Sequence, residues 1–163
     1  MAAVESNPFA ILTFIAAPAI LTNAASVLAL GTSTRFGRNV DRMRALIKLL
    51  EGESAGSESA EFYRTLMALM ERRSELLVRA MSLFYFSVGC FAAGSLTSLV
   101  GGILATTMEH PYALRAVLFV AMLAGAGGLG GLILGGSLLV RETRLALGTI
   151  RDEAEFYRAR LGG

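Results

Sequence analysis

Apolar positions along this chain collect into three long runs, roughly residues 9–30, 80–108 and 114–140. Each matches or exceeds the ~20 residues an α-helix needs to cross a ~30 Å hydrocarbon core. Between the first two runs the pattern changes to an amphipathic one. Phe36, Val40, Met43, Ile47 and Leu50 recur at spacings of four and three, and Phe62, Leu66, Leu69 and Leu76 follow on a second stretch, with Arg73 interrupting the stripe. The Gly/Ser-rich segment 52–57 separates them, so residues 35–79 are expected to form an antiparallel helical hairpin. After the third run, Leu147, Ile150, Ala154, Tyr157 and Leu161 again fall three and four apart and predict an amphipathic C-terminal helix over 141–161. The fold class that follows is an all-α membrane protein, a single membrane domain over residues 1–163 with three transmembrane helices.

Charge orients these helices. The chain holds 15 Lys+Arg, and all but Arg115 lie in residues 31–79 or 141–163. Basic residues flanking membrane spans stay in the cytoplasm. The N-terminal tail carries Glu5 and no Lys or Arg, and neither does the turn at Glu109-His110-Pro111. The expected topology is therefore N-terminus out, hairpin in, short turn out, C-terminus in. The pI of about 9.0 reflects this arrangement and not nucleic-acid binding. With 54% hydrophobic and 17% charged residues, the chain is more apolar and less charged than an ordinary soluble domain. The first run lacks a basic leader and is followed by Arg35 and Arg38, so it reads as a permanent span and not a cleaved signal.

The three spans differ in character. Asn7-Pro8 resembles a helix start, with Asn7 capping. Pro18 removes one backbone hydrogen bond within the first span and predicts a kink. Ala19, Thr22, Asn23 and Ser26 share one face at ~100° per residue, and this polar face is a candidate pore lining or interhelix contact. The second span carries a small-residue ladder of Gly89, Ala93, Thr97 and Gly101, with a neighbouring one of Gly94, Ser98 and Gly102. The third carries Gly127, Gly131 and Gly135, two overlapping GxxxG units. Such spacings let helix backbones approach closely in lipid, within one chain or between chains. Phe9 and Tyr112 mark the outer interface, and Phe36, Phe84, Tyr85 and Phe86 the inner one.

Candidate chemistry is sparse. No Gly-rich phosphate loop, HExxH, CxxC or GxSxG is present, and the lone His110 with Glu109 falls short of a three- or four-ligand metal site. No catalytic residue, metal site or cofactor is expected. No ionisable side chain lies mid-span, which argues against proton-coupled transport. Arg115, about one turn inside the third helix, is expected to snorkel outward. Cys90 is a single cysteine within a span, expected as a small packing residue. At the inner boundary, Glu142 sits between Arg141 and Arg144, with Arg35, Arg38 and Arg79 as expected ion-pair partners across the helix ends; the same basic residues would contact anionic headgroups. The string Ala-Glu-Phe-Tyr-Arg occurs at 60–64 and 154–158, read as coincidence or as two equivalent docking surfaces.

The run from Asn7-Pro8-Phe9 through Ala17-Pro18-Ala19-Ile20-Leu21-Thr22-Asn23 to Gly31-Thr32-Ser33, then Arg35 and Arg38, resembles a bacterial membrane-protein family, as does Arg141-Glu142-Thr143-Arg144-Leu145-Ala146-Leu147. This is the three-span family of uncharacterised function known as domain of unknown function 2721. The resemblance covers nearly the whole chain by layout, with specific matches at the first span and its exit and at the end of the third span. It implies a multi-pass protein of the bacterial inner membrane and brings no activity or catalytic residue. Two functions are expected from the residues: a non-enzymatic, self-associating membrane protein whose cytoplasmic stalk docks a protein partner, or a homo-oligomeric pore for ions or small solutes lined by the first helix. The partners in either case are the lipid bilayer and further copies of the chain, not nucleic acid.

Overall fold

The computed structural model describes residues 8–52, 56–107 and 111–161. Three helices account for nearly all of them: α1, Pro8–Glu51; α2, Glu58–Thr107; α3, Pro111–Leu161. Each is long and apolar enough to cross a membrane and extends well beyond its apolar run at one end, α1 and α3 C-terminally and α2 N-terminally. Hydrocarbon leaves no other option for a single spanning segment, because every backbone N–H and C=O must be satisfied inside it. Pro18 lies within α1, and the Thr22 hydroxyl donates to the Pro18 carbonyl at 2.8 Å. The turn between α1 and α2 is closed by Gly52 N–H donating to Leu49 O at 3.2 Å and by Gly56, whose φ of 97° a side chain would strain. Ser57 caps α2 by accepting from Ala60 N–H at 3.1 Å. The Asn7 cap, the Glu109-His110 turn and residues 53–55 lie outside the described residues.

Burial follows one rule on all three helices. On α2 the covered positions include Tyr63, Leu66, Met70, Leu77, Ala80, Phe84, Ser87 and Phe91, at intervals of three, four or seven. On α1 they are Ala25, Ala29, Thr32, Asn39 and Leu46. On α3 they are Gly128, Gly131, Gly135, Glu142 and Thr149. A 3.5-residue repeat is the signature of coiled-coil-like packing, in which one seam stays turned toward its neighbours.

The helices divide into two compact units. The apolar unit comprises α1 up to Ala29, α2 from Ser82 and α3 up to Leu134. Here Gly127, Gly128 and Gly131 of α3 lie close against α2. A Cβ on Gly131 would collide with the Ser87 hydroxyl and come within 3.0 Å of the Leu83 carbonyl oxygen. One on Gly128 would overlap the Phe91 ring, and one on Gly127 would touch the Cys90 Sγ at 3.5 Å. Lower on the same pair, Gly101 of α2 faces Val117 of α3, with a Cβ-to-Cγ1 distance of 2.8 Å. Gly127 and Gly131 of the α3 ladder thus lie against α2 of the same chain. The α2 ladder is split: Gly101 is buried, Thr97 half-buried and back-bonded to the Ala93 carbonyl, and Gly89 and Ala93 exposed. Phe84, expected at the membrane interface, is fully buried, because it occupies a seam position; Tyr85 and Phe86 are exposed.

The polar unit comprises α1 from Leu30, α2 up to Met81 and α3 from Gly135. Its core is Leu46, Tyr63, Leu66 and Met70, with Met43, Leu50, Phe62 and Met67 against it. The α1 stripe is corrected by one residue: Leu46 is buried and Ile47 exposed. On α3 the correction is larger. Leu147, Ile150, Ala154 and Tyr157 point outward, while Glu142, Thr149 and Phe156 turn toward the other helices. Apolar periodicity picks the greasiest face, but ion pairs and a ring stack decide which face packs.

Two adjacent glycines on α3 separate helix propensity from packing. Alanine in a helix is favoured over glycine by roughly 0.5–1 kcal/mol, and Gly130 has open space around it. Gly130→Ala should leave thermal stability in detergent equal or slightly raised. Gly131→Ala meets a buried hydroxyl and a backbone carbonyl that cannot rotate away, so it should lose about 1–3 kcal/mol. Equal melting temperatures for the two variants would contradict this packing.

Candidate functional site

The described residues hold one concentrated polar constellation, in the polar unit. Its centre is Glu142 of α3, whose side chain is 4% exposed. Arg73 of α2 donates from Nε at 3.0 Å and from Nη2 at 2.7 Å to the same carboxylate oxygen, Oε1. Arg35 of α1 approaches the other oxygen, Oε2, at 3.8 Å and donates to the Thr143 hydroxyl at 3.4 Å. One carboxylate thus joins three helices. Arg73 is the residue that breaks the apolar stripe on α2, and it breaks it where Glu142 must be met. Its Nη1 also lies 3.8 Å from the Met70 sulfur.

Asn39 of α1 lies on the same floor. Its Nδ2 donates to the Met70 carbonyl and the Ser74 hydroxyl, both at 2.8 Å, which fixes the orientation of the amide. Its Oδ1 is buried and has no partner among the described residues. A polar residue at a seam position sets register at some cost in stability. Further out, Arg42 pairs with Glu153, and Phe62 stacks on Phe156 with ring centroids 4.0 Å apart and planes 3° off parallel. These are the third residues of the two Ala-Glu-Phe-Tyr-Arg strings, so the repeated string meets itself across α2 and α3. The tyrosines part company: Tyr63 is buried and Tyr157 exposed.

Arg35, Arg38, Asn39, Arg42, Arg73, Glu142, Thr143 and Ala146 line a crevice of about 300 Å³. Of the charges singled out by sequence, Arg35, Arg38 and Glu142 meet there. Arg79 instead lies 3.9 Å from Glu75 on its own helix, and Arg141 and Arg144 are exposed. Arg42, Arg73 and Asn39 were missed as members. The available signal was spacing: Asn39 falls in step with Thr32 and Leu46, a polar residue at a core interval.

The polar face of α1 is placed differently. Ala19, Asn23 and Ser26 are exposed and Thr22 half-buried. The Ser26 hydroxyl donates back to the Thr22 carbonyl at 2.9 Å. Beside them an apolar cavity of about 210 Å³ is lined by Pro18, Leu21, Cys90, Phe91, Gly94 and Met122, among others. The polar face does not line it.

The family described as "Protein of unknown function (DUF2721)" matches residues 15–151. The chain belongs to this family. No curated protein and no solved structure matches it. The stretch matched to DUF2721 contains the whole arginine crevice, from Arg35 to Ala146, whereas Glu153 and Phe156 lie beyond it. The DUF2721 description assigns no activity, and the three candidate membrane helices are a property of this chain's own helix lengths and hydropathy.

Breaking a buried ion pair by removing one partner costs ~3–5 kcal/mol, because the other charge stays behind. Arg73 keeps some solvent contact, at 17% side-chain exposure, so Glu142→Ala should cost about 3 kcal/mol, the lower end of that range. Replacing both partners, Glu142→Leu with Arg73→Leu, should cost less than the two single changes together. A thermal-unfolding double-mutant cycle in nanodiscs measures the coupling; strict additivity would mean the pair contributes nothing.

Proposed function

We propose that this chain is a non-enzymatic, self-associating protein of the bacterial inner membrane, with the N-terminus outside and the polar unit standing in the cytoplasm as an interaction stalk. One observation carries the reading. The stretch of α3 in the polar unit has two seams. Glu142, Thr149 and Phe156 turn inward. Val140, Leu147, Ile150 and Tyr157 form a second series, each about half exposed, at 54, 52, 56 and 46%. Thr143 and Ala154 complete it at intervals of three and four. A second apolar heptad face on an already packed helix is what a further parallel helix would cover. Copies of this chain in one membrane share one orientation, so their α3 helices run parallel, and α3 of another copy is the occupant the repeat fits best. A cytoplasmic protein docked on the assembled stalk remains part of this reading.

The second reading is a homo-oligomeric pore for ions or small solutes, lined by α1. The observation favouring it is that Asn23 and Ser26 are exposed on the single chain, and an amide facing hydrocarbon is costly. Surrounding copies would either hydrogen-bond this face or gather it around an aqueous path. Asn23→Leu with Thr22→Val would alter conductance in planar bilayers under the pore reading and leave it unchanged otherwise.

The first reading is tested by cysteine cross-linking in native membranes. In a Cys90→Ala background, Ile150→Cys should give a disulfide-linked dimer on mild oxidation. Arg64→Cys, on an exposed part of α2, should not. Adding Leu147→Asp to the Ile150→Cys chain should abolish the dimer. Equal cross-linking at both positions would reduce the result to random collision and remove the basis for this contact.

A further inference from the structure

The crevice around Glu142 is charged out of balance. Four guanidinium groups line it, those of Arg35, Arg38, Arg42 and Arg73. Two carboxylates answer them: Glu142, shared between Arg73 and Arg35, and Glu153, on Arg42. Two positive charges are left over, and Arg38 is the crevice arginine with no ion pair among the described residues. The shared carboxylate is committed: Oε1 takes both Arg73 bonds, and Arg35 reaches Oε2 only at the long distance of 3.8 Å. A planar guanidinium presents a fork of donors suited to paired oxygens. Arginines held around one 300 Å³ space form a receptor for a multi-oxygen anion; the Asn39 amide and the Thr143 hydroxyl add no donor, since their hydrogens go to Met70, Ser74 and Leu139.

We propose that this crevice binds a phosphate group. Arg38 and Arg35 supply the primary donors, and Arg42 closes the site from the same helix. Glu142 is the positioning residue: it fixes Arg73 and lies 3.8 Å from Arg35. A phosphate of charge near −2 cancels the excess. The site does not depend on self-association.

Two sources offer this chemistry. Arg35 lies about 8 Å along α1 beyond Leu30, the end of the apolar run, at ~1.5 Å per residue. The headgroup layer on each face of a bilayer is ~5–7 Å deep. From there Arg38 and Arg42 follow Arg35 along α1, away from the apolar run, and all three line the crevice. An anionic lipid headgroup reaches it from the membrane side, and a soluble phosphate from the water side.

The test uses the full chain in phosphatidylcholine nanodiscs, with thermal unfolding as the readout, since a ligand bound only to the folded state raises stability. One arm titrates pyrophosphate against sodium chloride of matched ionic strength. The other replaces part of the lipid with phosphatidylglycerol and adds native mass spectrometry to count retained phosphatidylglycerol. Either ligand should stabilise the wild type. Arg38→Gln should weaken that ligand's binding about fivefold, the effect of one basic residue near an anionic surface. Lys48→Gln, an equal loss of charge further along α1, should change it less than twofold. Stabilisation by phosphatidylglycerol alone assigns the site to a headgroup, by pyrophosphate alone to a soluble phosphate, and both outcomes support it. No stabilisation by either, or equal weakening by Arg38→Gln and Lys48→Gln, would overturn the proposal.

Discussion

The structure depends on a seam that returns every three or four residues on each helix. A backbone carbonyl or amide freed inside hydrocarbon must find another partner, so adaptation falls chiefly to the side chains. On α2 the same spacing recurs within each unit, at Tyr63, Leu66 and Met70 in the polar one and at Phe84, Ser87 and Phe91 in the apolar one. What occupies the positions changes with the solvent, while the interval does not.

Each unit solves its own packing problem. Lipid gives no hydrophobic reward for bringing helices together, so the apolar unit relies on shape. Glycines 127, 128 and 131 leave hollows on α3, and Phe86, Ser87 and Phe91 fill them. In the polar unit water supplies the hydrophobic force, and Leu46, Tyr63, Leu66 and Met70 form an ordinary core. Hydrophobic contact alone is tolerant of register. The Asn39 amide and the Arg73–Glu142 pair are not, because each has one arrangement that satisfies it. These groups trade some stability for a single alignment of the helices within that unit.

The arginine content takes on a second meaning in this frame. Counted along the sequence, Lys and Arg are topological signals. Gathered around Glu142 they are an unbalanced electrostatic site, and the imbalance arises only because arginines from α1 and α2 converge on one carboxylate of α3. The outward face of α3 is likewise an unspent resource: Leu147, Ile150 and Tyr157 keep a heptad repeat that the chain's own core does not use.

The sequence by itself determined the three apolar spans and the break near Gly56, because run length, charge blocks and glycine breaks are local quantities that no neighbour can overrule; the family was legible separately, as a resemblance carried by the motifs of the first span and the end of the third. It also exposed Glu142, Arg35 and Arg38 as boundary charges. Tertiary structure decided which faces pack. Leu46 and not Ile47 is buried, Thr149 and not Ile150 turns inward, and Arg73 joins Glu142 while Arg79 does not. Adjacent residues on a helix differ by only ~100°, so two neighbouring stripes can look equally suitable along the chain. The choice falls to partners distant in sequence: an arginine on α2 for Glu142, a phenylalanine on α2 for Phe156, a serine on α2 for the bare backbone of Gly131. Their energies depend on distances that only the folded helices set.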